Sequence, residues 1–134
     1  MHYKKTILGF FSFLITALMF TFGVNAEIVA QGSYGIRPGH ETEVTYRIER
    51  DGADVKLIIS GHGEMMYRSH SIRDYRDAVQ NLPMGNVRMP WDNYANIITV
   101  VIIDSGITNV NKGTLHTFDI CSNRQAVYYN GVKV

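Results

Sequence analysis

The chain has 134 residues, with 13 Lys and Arg against 12 Asp and Glu, and a single Cys. This near balance of charge gives no electrostatic reason to expect nucleic acid or an anionic membrane surface as a partner. One Cys cannot form a disulfide within the chain, so packing must stabilise the fold. Cys121 is therefore either a buried apolar side chain or a free thiol.

The first 26 residues have the pattern of a secretory signal peptide. Two lysines precede an apolar run over residues 7–24, and small residues stand just before Glu27, as signal peptidase requires. The alternative is an uncleaved anchor, because a spanning helix needs ~20 apolar residues and the run is close to that length. We expect cleavage and export, with no membrane insertion afterwards. The rest, residues 27–134, is treated as a single β-rich domain.

Residues 27–60 predict a group of antiparallel strands. Residues 43–49 alternate between apolar and polar side chains, which is typical of a strand with one buried and one wet face. The predicted buried positions are Val44, Tyr46 and Ile48, and the predicted wet positions are Glu43, Thr45, Arg47 and Glu49. An Asp-Gly turn separates this strand from a second one over 55–60, which predicts a hairpin. Residues 27–35 predict an earlier strand.

The middle of the chain changes period. Residues 71–83 have helical spacing, with Ser71 as the predicted N-cap and Pro83 at the end. A loop rich in Gly and Pro follows over 83–94. Residues 96–104 form an Ile- and Val-rich run, which is typical of a strand covered on both faces.

The last third contains two similar segments. Residues 100–110 and 126–134 each consist of an apolar strand, a turn with Gly and a second short strand, and Gly106 and Gly131 stand 25 positions apart. A period of 20 to 30 residues is typical of solenoid repeats. Residues 115–121, between them, fit either a strand or a short helical turn.

Four motifs, in order, carry a family resemblance. They are "L-x-I-S-G-x-G-x-M" at Leu57, Ile59, Ser60, Gly61, Gly63 and Met65; "P-W" at Pro90 and Trp91; a strand and turn at Ile98, Val101, Ile103, Gly106, Ile107, Thr108 and Val110; and "F-x-x-C" at Phe118 and Cys121. In these motifs the chain resembles the bacterial BspA-type leucine-rich-repeat proteins, which are exported and surface-associated. No single motif is specific, and the ordered set carries the resemblance.

The resemblance implies a mainly β fold with one short helix (α+β). An N-terminal β-hairpin would stack on a short leucine-rich-repeat-like β-solenoid fragment. Gly61 and Gly63 would let the strand leave the sheet, since glycine permits a close approach of backbone. Met65, Phe118 and Cys121 would pack in the core. The implied function is non-enzymatic protein binding.

The residues themselves predict no catalytic set, cofactor or metal site. Ser60, His62 and Asp54 match a triad by residue type alone, with nothing to orient them and no nucleophile elbow. His116 and Cys121 are a thiol pair by type only, because a core thiol is inert. The spacing of the candidate ligands matches no zinc pattern; they are His40, His62, Glu64, His70 and His116.

Aromatic side chains are the predicted partner-binding residues, namely Trp91, Tyr94, Tyr128 and Tyr129. For Trp91 the preferred interpretation is packing in the core or under a cap. At least one of the two adjacent tyrosines must point outward, because neighbouring strand residues face opposite sides. The expected partner is a host matrix or envelope protein, or a second copy paired along the C-terminal strand edge. The expected location is the periplasm, the cell surface or the medium. The alternative function is a periplasmic inhibitor or immunity protein that blocks a secreted enzyme through the loop over 83–94.

Overall fold

The structure, a computed structural model, describes residues 26–68 and 88–134. Six strands form one mixed sheet in chain order: β1 (Glu27–Ser33), β2 (Val44–Asp51), β3 (Asp54–Gly61), β4 (Val100–Ile103), β5 (Ala126–Tyr129) and β6 (Val132–Lys133). One short α-helix, α1 (Lys112–Leu115), continues into a 3-10 helix (His116–Ile120) between β4 and β5. Further 3-10 turns cover Glu41–Glu43 and Asp92–Tyr94. The described part of the chain is therefore mainly β.

The first three strands are antiparallel, as their alternating pattern predicts. β2 and β3 pair along their whole length, from Val44 opposite Gly61 to Asp51 opposite Asp54. This register leaves a two-residue turn whose first residue, Gly52, has φ +64°, a value that glycine adopts without strain. β1 pairs with the other side of β2, with an irregularity between Ile28 and Ala30.

The next two strands are parallel to β3. Leu57 of β3 lies beside Val101 of β4, which in turn lies beside Val127 of β5. The chain returns to the same register 26 residues later, after passing through the helical segment 112–120. Parallel neighbours require such a crossover, because a tight turn can connect only antiparallel strands.

A C-terminal hairpin closes this end of the sheet, as the Asn-Gly turn predicts. β6 pairs antiparallel with β5, and Asn130 (φ 51°) and Gly131 (φ 76°) form the turn. Two positive φ angles match the twist of a two-residue hairpin. The side of β5 that faces away from β4 is therefore occupied by β6.

The core lies on one face of the sheet. Odd-numbered side chains of β3 and β4 and even-numbered ones of β2 point into it, including Ile48, Leu57 and Val101, all fully buried. Beneath them Trp91 stacks on Phe118, with ring centroids 5.7 Å apart, and meets Tyr34 edge-on at 6.4 Å. Burying such large side chains supplies the main driving force for folding.

Three local predictions need correction. Glu49, expected on a wet face, is 3% exposed and forms an ion pair with Arg47 (Oε1 to Nε, 3.0 Å), the neighbouring outward side chain of β2. Residues 105–110 form no strand; only Ile107 bridges to Gly63. The strand predicted over 96–104 is limited to β4, and its Val100 and Ile102 are half-exposed, since no described element packs on that face.

The other predicted segments are the one after β4 and two that lie outside the described residues. The segment 115–121 is helical up to Ile120, which decides between its two alternatives in favour of a helical turn. The helix predicted over 71–83 and the signal segment up to residue 25 lie outside the described residues. Within residues 26–68 and 88–134, no helix combines the length and apolar character that crossing a bilayer requires.

Candidate functional site

The candidate site is a cleft on the sheet face opposite the core. It has a volume of about 850 Å³, within the range of ligand-binding clefts. We call it the outer cleft. It is lined by Asp54, Lys56, Gly61, His62, Val100, Ile102, Ile103, Asp104, Ser105, Gly106, Tyr128, Asn130 and Gly131.

Strand alternation places the floor of the outer cleft. Because Val101 and Ile103 point into the core, Val100 and Ile102 point the opposite way. Tyr128 stands beside Ile102 in the register of β4 and β5. Ile58 of β3, on the other side of Ile102, is 2% exposed and does not line the cleft. The floor is thus formed by the apolar side chains of β4 and by Tyr128 of β5, and β3 contributes polar side chains at its edge.

The ends of the outer cleft are polar. At one end Lys56 forms an ion pair with Asp51 (Nζ to Oδ2, 3.2 Å), and the Asp54 carboxylate accepts a hydrogen bond from the Thr99 hydroxyl at 3.3 Å. At the other end lie His62, which is exposed, and Asp104, which is half-buried. The Asp104 carboxylate makes no hydrogen bond or ion pair with any residue that the structure describes. Within the described part of the chain, no ion pair therefore offsets the Asp104 carboxylate at this end of the cleft.

Glycine backbone shapes that same end. Gly61 has φ +112°, and a Cβ there would collide with the Glu43 carbonyl oxygen. A Cβ on Gly106 would collide with the Gly61 carbonyl oxygen, and the His62 imidazole lies over the same position. Gly63, with φ +118°, then donates its N–H to the Gly106 carbonyl at 3.0 Å. Both glycines thus have positive φ at the end of β3, and Gly61 also allows a close approach of backbone.

The structure separates the four predicted partner-binding aromatics. Only Tyr128 lines the outer cleft. Tyr129 points to the core side, where its hydroxyl donates to the Ile107 carbonyl at 2.7 Å, and Tyr94 packs half-buried against the core. Trp91 is 0% exposed, which agrees with core packing, the preferred of its two interpretations, and excludes a place on the binding surface. Its ring is instead a central part of the core.

The other motif residues have structural positions. Met65, Phe118 and Cys121 are fully buried, as predicted. Burial raises the pKa of the Cys121 thiol from 9.0 to about 11. Ser60 is half-buried near the end of β3. Pro90 is exposed in the turn before Trp91.

The residue sets considered for catalysis do not come together. Asp54 and Ser60 lie at opposite ends of β3, six residues and about 20 Å apart along the strand. His116 contacts Asp119 (Nδ1 to Oδ2, 3.0 Å) on the surface, whereas Cys121 is in the core. Among the described residues no three His, Cys, Asp or Glu side chains converge in a way that would hold a metal ion.

A second, smaller pocket of about 240 Å³ lies beyond the end of β3. Its lining includes two imidazoles and two carboxylates, with His40 and Glu43 3.0 Å apart. Both of these side chains are more than half exposed. An exposed pair of this kind contributes little energy, so this pocket is a weaker candidate than the outer cleft.

Sequence reasoning missed Asn109, Asp104 and the apolar floor. Asn109 holds the Met65 backbone, accepting from its N–H and donating to its carbonyl, both at 3.0 Å. Asp104 follows an apolar run in the sequence, and counting alternate positions back from it through Ile102 and Val100 would have placed all three on one face.

Comparisons with known proteins identify no similar protein. No family model matches the chain, and neither curated proteins nor solved structures give a significant match.

Proposed function

We propose that this chain is an exported, non-enzymatic protein-binding domain that acts as an adhesion-like or scaffold-like module at the bacterial envelope or outside the cell. The proposal rests on the motifs that resemble BspA-type leucine-rich-repeat proteins. One observation of the structure supports it above others. The adjacent strands β4 and β5 leave the apolar side chains of Val100 and Ile102 and the Tyr128 ring half-exposed in the lining of the outer cleft.

The repeat interpretation is part of the same proposal. The 26-residue return from β4 to β5 has the length of one leucine-rich repeat. Its crossover sends Phe118 and Cys121 under the sheet, where they pack in the core. We infer that the segment from β3 to β5 is a short solenoid-like stack continuous with the N-terminal hairpin.

Protein binding fits the chemistry of the exposed face. Tyr and apolar side chains are enriched in the centres of protein interfaces, with polar groups at the rim. The outer cleft has this order, because Ile102 and Tyr128 lie in the floor and charged side chains stand at both ends. Projecting side chains of a partner would fill the cleft, while a standard interface would extend over neighbouring strands.

A capture experiment tests the proposed binding. The purified full chain, a Tyr128→Glu variant and an Ile120→Glu control are immobilised and exposed to envelope and secreted fractions of the producing cells. Ile120 is 42% exposed in the helical crossover, away from the outer cleft. We expect the wild type and the control to retain one or more proteins. The amount retained should fall at least about tenfold with Tyr128→Glu, since a buried charge would disrupt the contact.

Other outcomes identify the alternatives. Equal capture by Tyr128→Glu and the wild type would contradict a binding role for the outer cleft. Stoichiometric, nanomolar capture of a secreted enzyme with loss of its activity would instead establish the inhibitor class. A solution mass that rises with concentration and returns to monomer with Val132→Glu would identify β6 as a self-association edge, since Val132 is 64% exposed there.

Export has a separate test. If residues 1–26 are removed during secretion, the protein recovered from outside the cytoplasm begins at Glu27. Amino-terminal sequencing or an intact mass measures this directly. A product that retains the apolar run and sediments with membranes would show an uncleaved anchor.

A further inference from the structure

We propose that the outer cleft recognises a protein segment that presents a Lys or Arg side chain next to an apolar or aromatic one. Asp104 would pair with the cation, and Ile102 and Tyr128 would contact its aliphatic stem and the apolar neighbour. This inference rests on the proposed function and specifies the partner's chemistry.

The charges of the outer cleft favour a cationic occupant. Lys56 is the basic side chain in its lining, and its charge is matched by Asp51 at 3.2 Å. Asp54 and Asp104 add two carboxylates, and His62 is counted as neutral at pH 7. An anionic partner would therefore meet uncompensated negative charge, which disfavours association.

Asp104 is the carboxylate best placed to act. The Asp54 carboxylate already accepts from Thr99, whereas the Asp104 carboxylate has no partner among residues 26–68 and 88–134. Asp104 is also half-buried, so it has lost part of its hydration without gaining a hydrogen bond in return. A guanidinium or ammonium group would restore that interaction, and charge-assisted bonds of this kind are stronger than neutral ones.

The neighbouring side chains define what else the segment carries. Asp104 lies two residues, about 7 Å, beyond Ile102 on the same face of the strand line. Tyr128 stands on the adjacent strand, opposite Ile102 and about 5 Å away laterally. A Lys or Arg stem can lie along this apolar surface while its head reaches the carboxylate. The Tyr128 ring adds a cation–π contact.

Selection from random peptides tests the inference without knowledge of the natural ligand. The full-length chain is used to enrich a phage-displayed dodecapeptide library, and one enriched peptide is synthesised. We expect enriched peptides to share a Lys or Arg beside an aromatic or large apolar residue. Asp104→Asn should weaken the synthetic peptide at least about tenfold, because a hydrogen bond to a charged group is lost.

A matched variant and a peptide variant make the result specific. Glu64→Gln removes the same charge at an exposed position outside the outer cleft, and affinity should stay within about twofold. Replacing the basic residue of the peptide by Gln should cost the wild type about as much as Asp104→Asn does, and should have little further effect in that variant. Circular dichroism and thermal unfolding confirm that each variant is folded.

The failures of the two proposals are distinguishable. Suppose that the enriched peptides lose affinity with Tyr128→Ser, but either carry no cation or bind Asp104→Asn as well as the wild type. This result would overturn the inference and leave protein binding at the cleft intact. Acidic peptides that depend on Lys56 overturn it equally. If no peptide is enriched, or if bound peptides ignore both Tyr128→Ser and Asp104→Asn, this inference is overturned, and the capture experiment with Tyr128→Glu decides the proposed function separately.

Discussion

At the scale of single residues, burial and backbone angle decide what each side chain can do. Cys121 is 0% exposed, and burial raises its pKa to about 11. The thiolate is the reactive form of cysteine. The residue therefore contributes to packing, and its reactivity reports the opening of the core.

The first prediction concerns labelling of Cys121. At pH 8 the raised pKa lowers the thiolate fraction about 100-fold relative to an ordinary thiol, and burial restricts access further. We expect iodoacetamide to react at least about 100-fold more slowly with the native chain than with the chain in guanidinium chloride, as followed by mass spectrometry. Rapid labelling of the native protein would show that Cys121 is accessible.

The second prediction compares two glycines with positive φ. Gly61→Ala places a Cβ against the Glu43 carbonyl oxygen, whose hydrogen bond from the His62 N–H (2.9 Å) would be displaced. Gly52→Ala has the same unfavourable sign of φ but open space around it. We expect losses of about 3 kcal/mol for Gly61→Ala and about 1 kcal/mol for Gly52→Ala in urea unfolding. Equal losses would mean that the close approach at Gly61 is unimportant.

At the scale of elements, a few polar side chains join segments that no strand pairing connects. Beyond the ends of β3 and β4 the two segments are joined by the parallel bridge between Gly63 and Ile107 and by the Asn109 side chain. A capping box then begins α1: the Asn111 side chain accepts from the Thr114 N–H at 3.1 Å, and the Thr114 hydroxyl accepts from the Asn111 N–H at 2.9 Å. These contacts position the crossover under the sheet.

The third prediction separates the two asparagines. Asn109→Ala leaves the Met65 N–H and carbonyl without the partners they have in the structure, and we expect it to lower the free energy of unfolding by about 2 kcal/mol or more. Asn111→Ala removes a helix cap, which costs about 1 kcal/mol. Denaturant unfolding of both variants checks the order. A smaller effect at Asn109 would contradict its role in joining the two segments.

At the scale of the whole molecule, the two faces of the sheet differ in their charge. The core face is apolar, whereas the outer face carries Arg47, Glu49 and Lys56 on β2 and β3. Glu49 is buried beside Arg47, with Oε1 3.0 Å from Nε. Burial raises the pKa of Glu49, and Arg47 and Lys56 offset this only in part. The ionised carboxyl therefore opposes folding at neutral pH.

The fourth prediction is the resulting pH dependence. A carboxyl whose pKa is raised by folding contributes stability that is fully present below its unfolded pKa of about 4.5 and is lost as pH rises through the folded pKa. Glu49→Gln removes this pH-dependent loss of stability. The free energy of unfolding of the variant minus that of the wild type should therefore be larger at pH 7 than at pH 4. Glu64→Gln, at an exposed position, controls for the loss of one charge. The opposite trend would show that ion pairing outweighs burial at Glu49.

The sequence predicts local features of this fold better than it predicts burial. Alternation identified the core side of β2 and β3, and the breakers located both hairpin turns, because these signals are local. Glu49 was misplaced, and Trp91 was left between the core and a binding surface, since the local pattern does not show what buries either side chain. The outer cleft was missed for the same reason: periodicity shows that a residue alternates, and gives no information on what covers the face to which it points.

By itself, the sequence determined a β-rich domain with a hairpin at each end, a buried Cys121 and glycine turns after β3. Only the tertiary structure decided that β4 lies parallel between β3 and β5 and that Tyr128 rather than Tyr129 faces outward. It also decided that Asp104 lies beside an apolar floor, with no side-chain partner among residues 26–68 and 88–134. The physical reason is range. Turns and strand faces arise from neighbouring residues, whereas strand order and the exposure of a sheet face arise from hydrogen bonds and packing between segments that are distant along the chain.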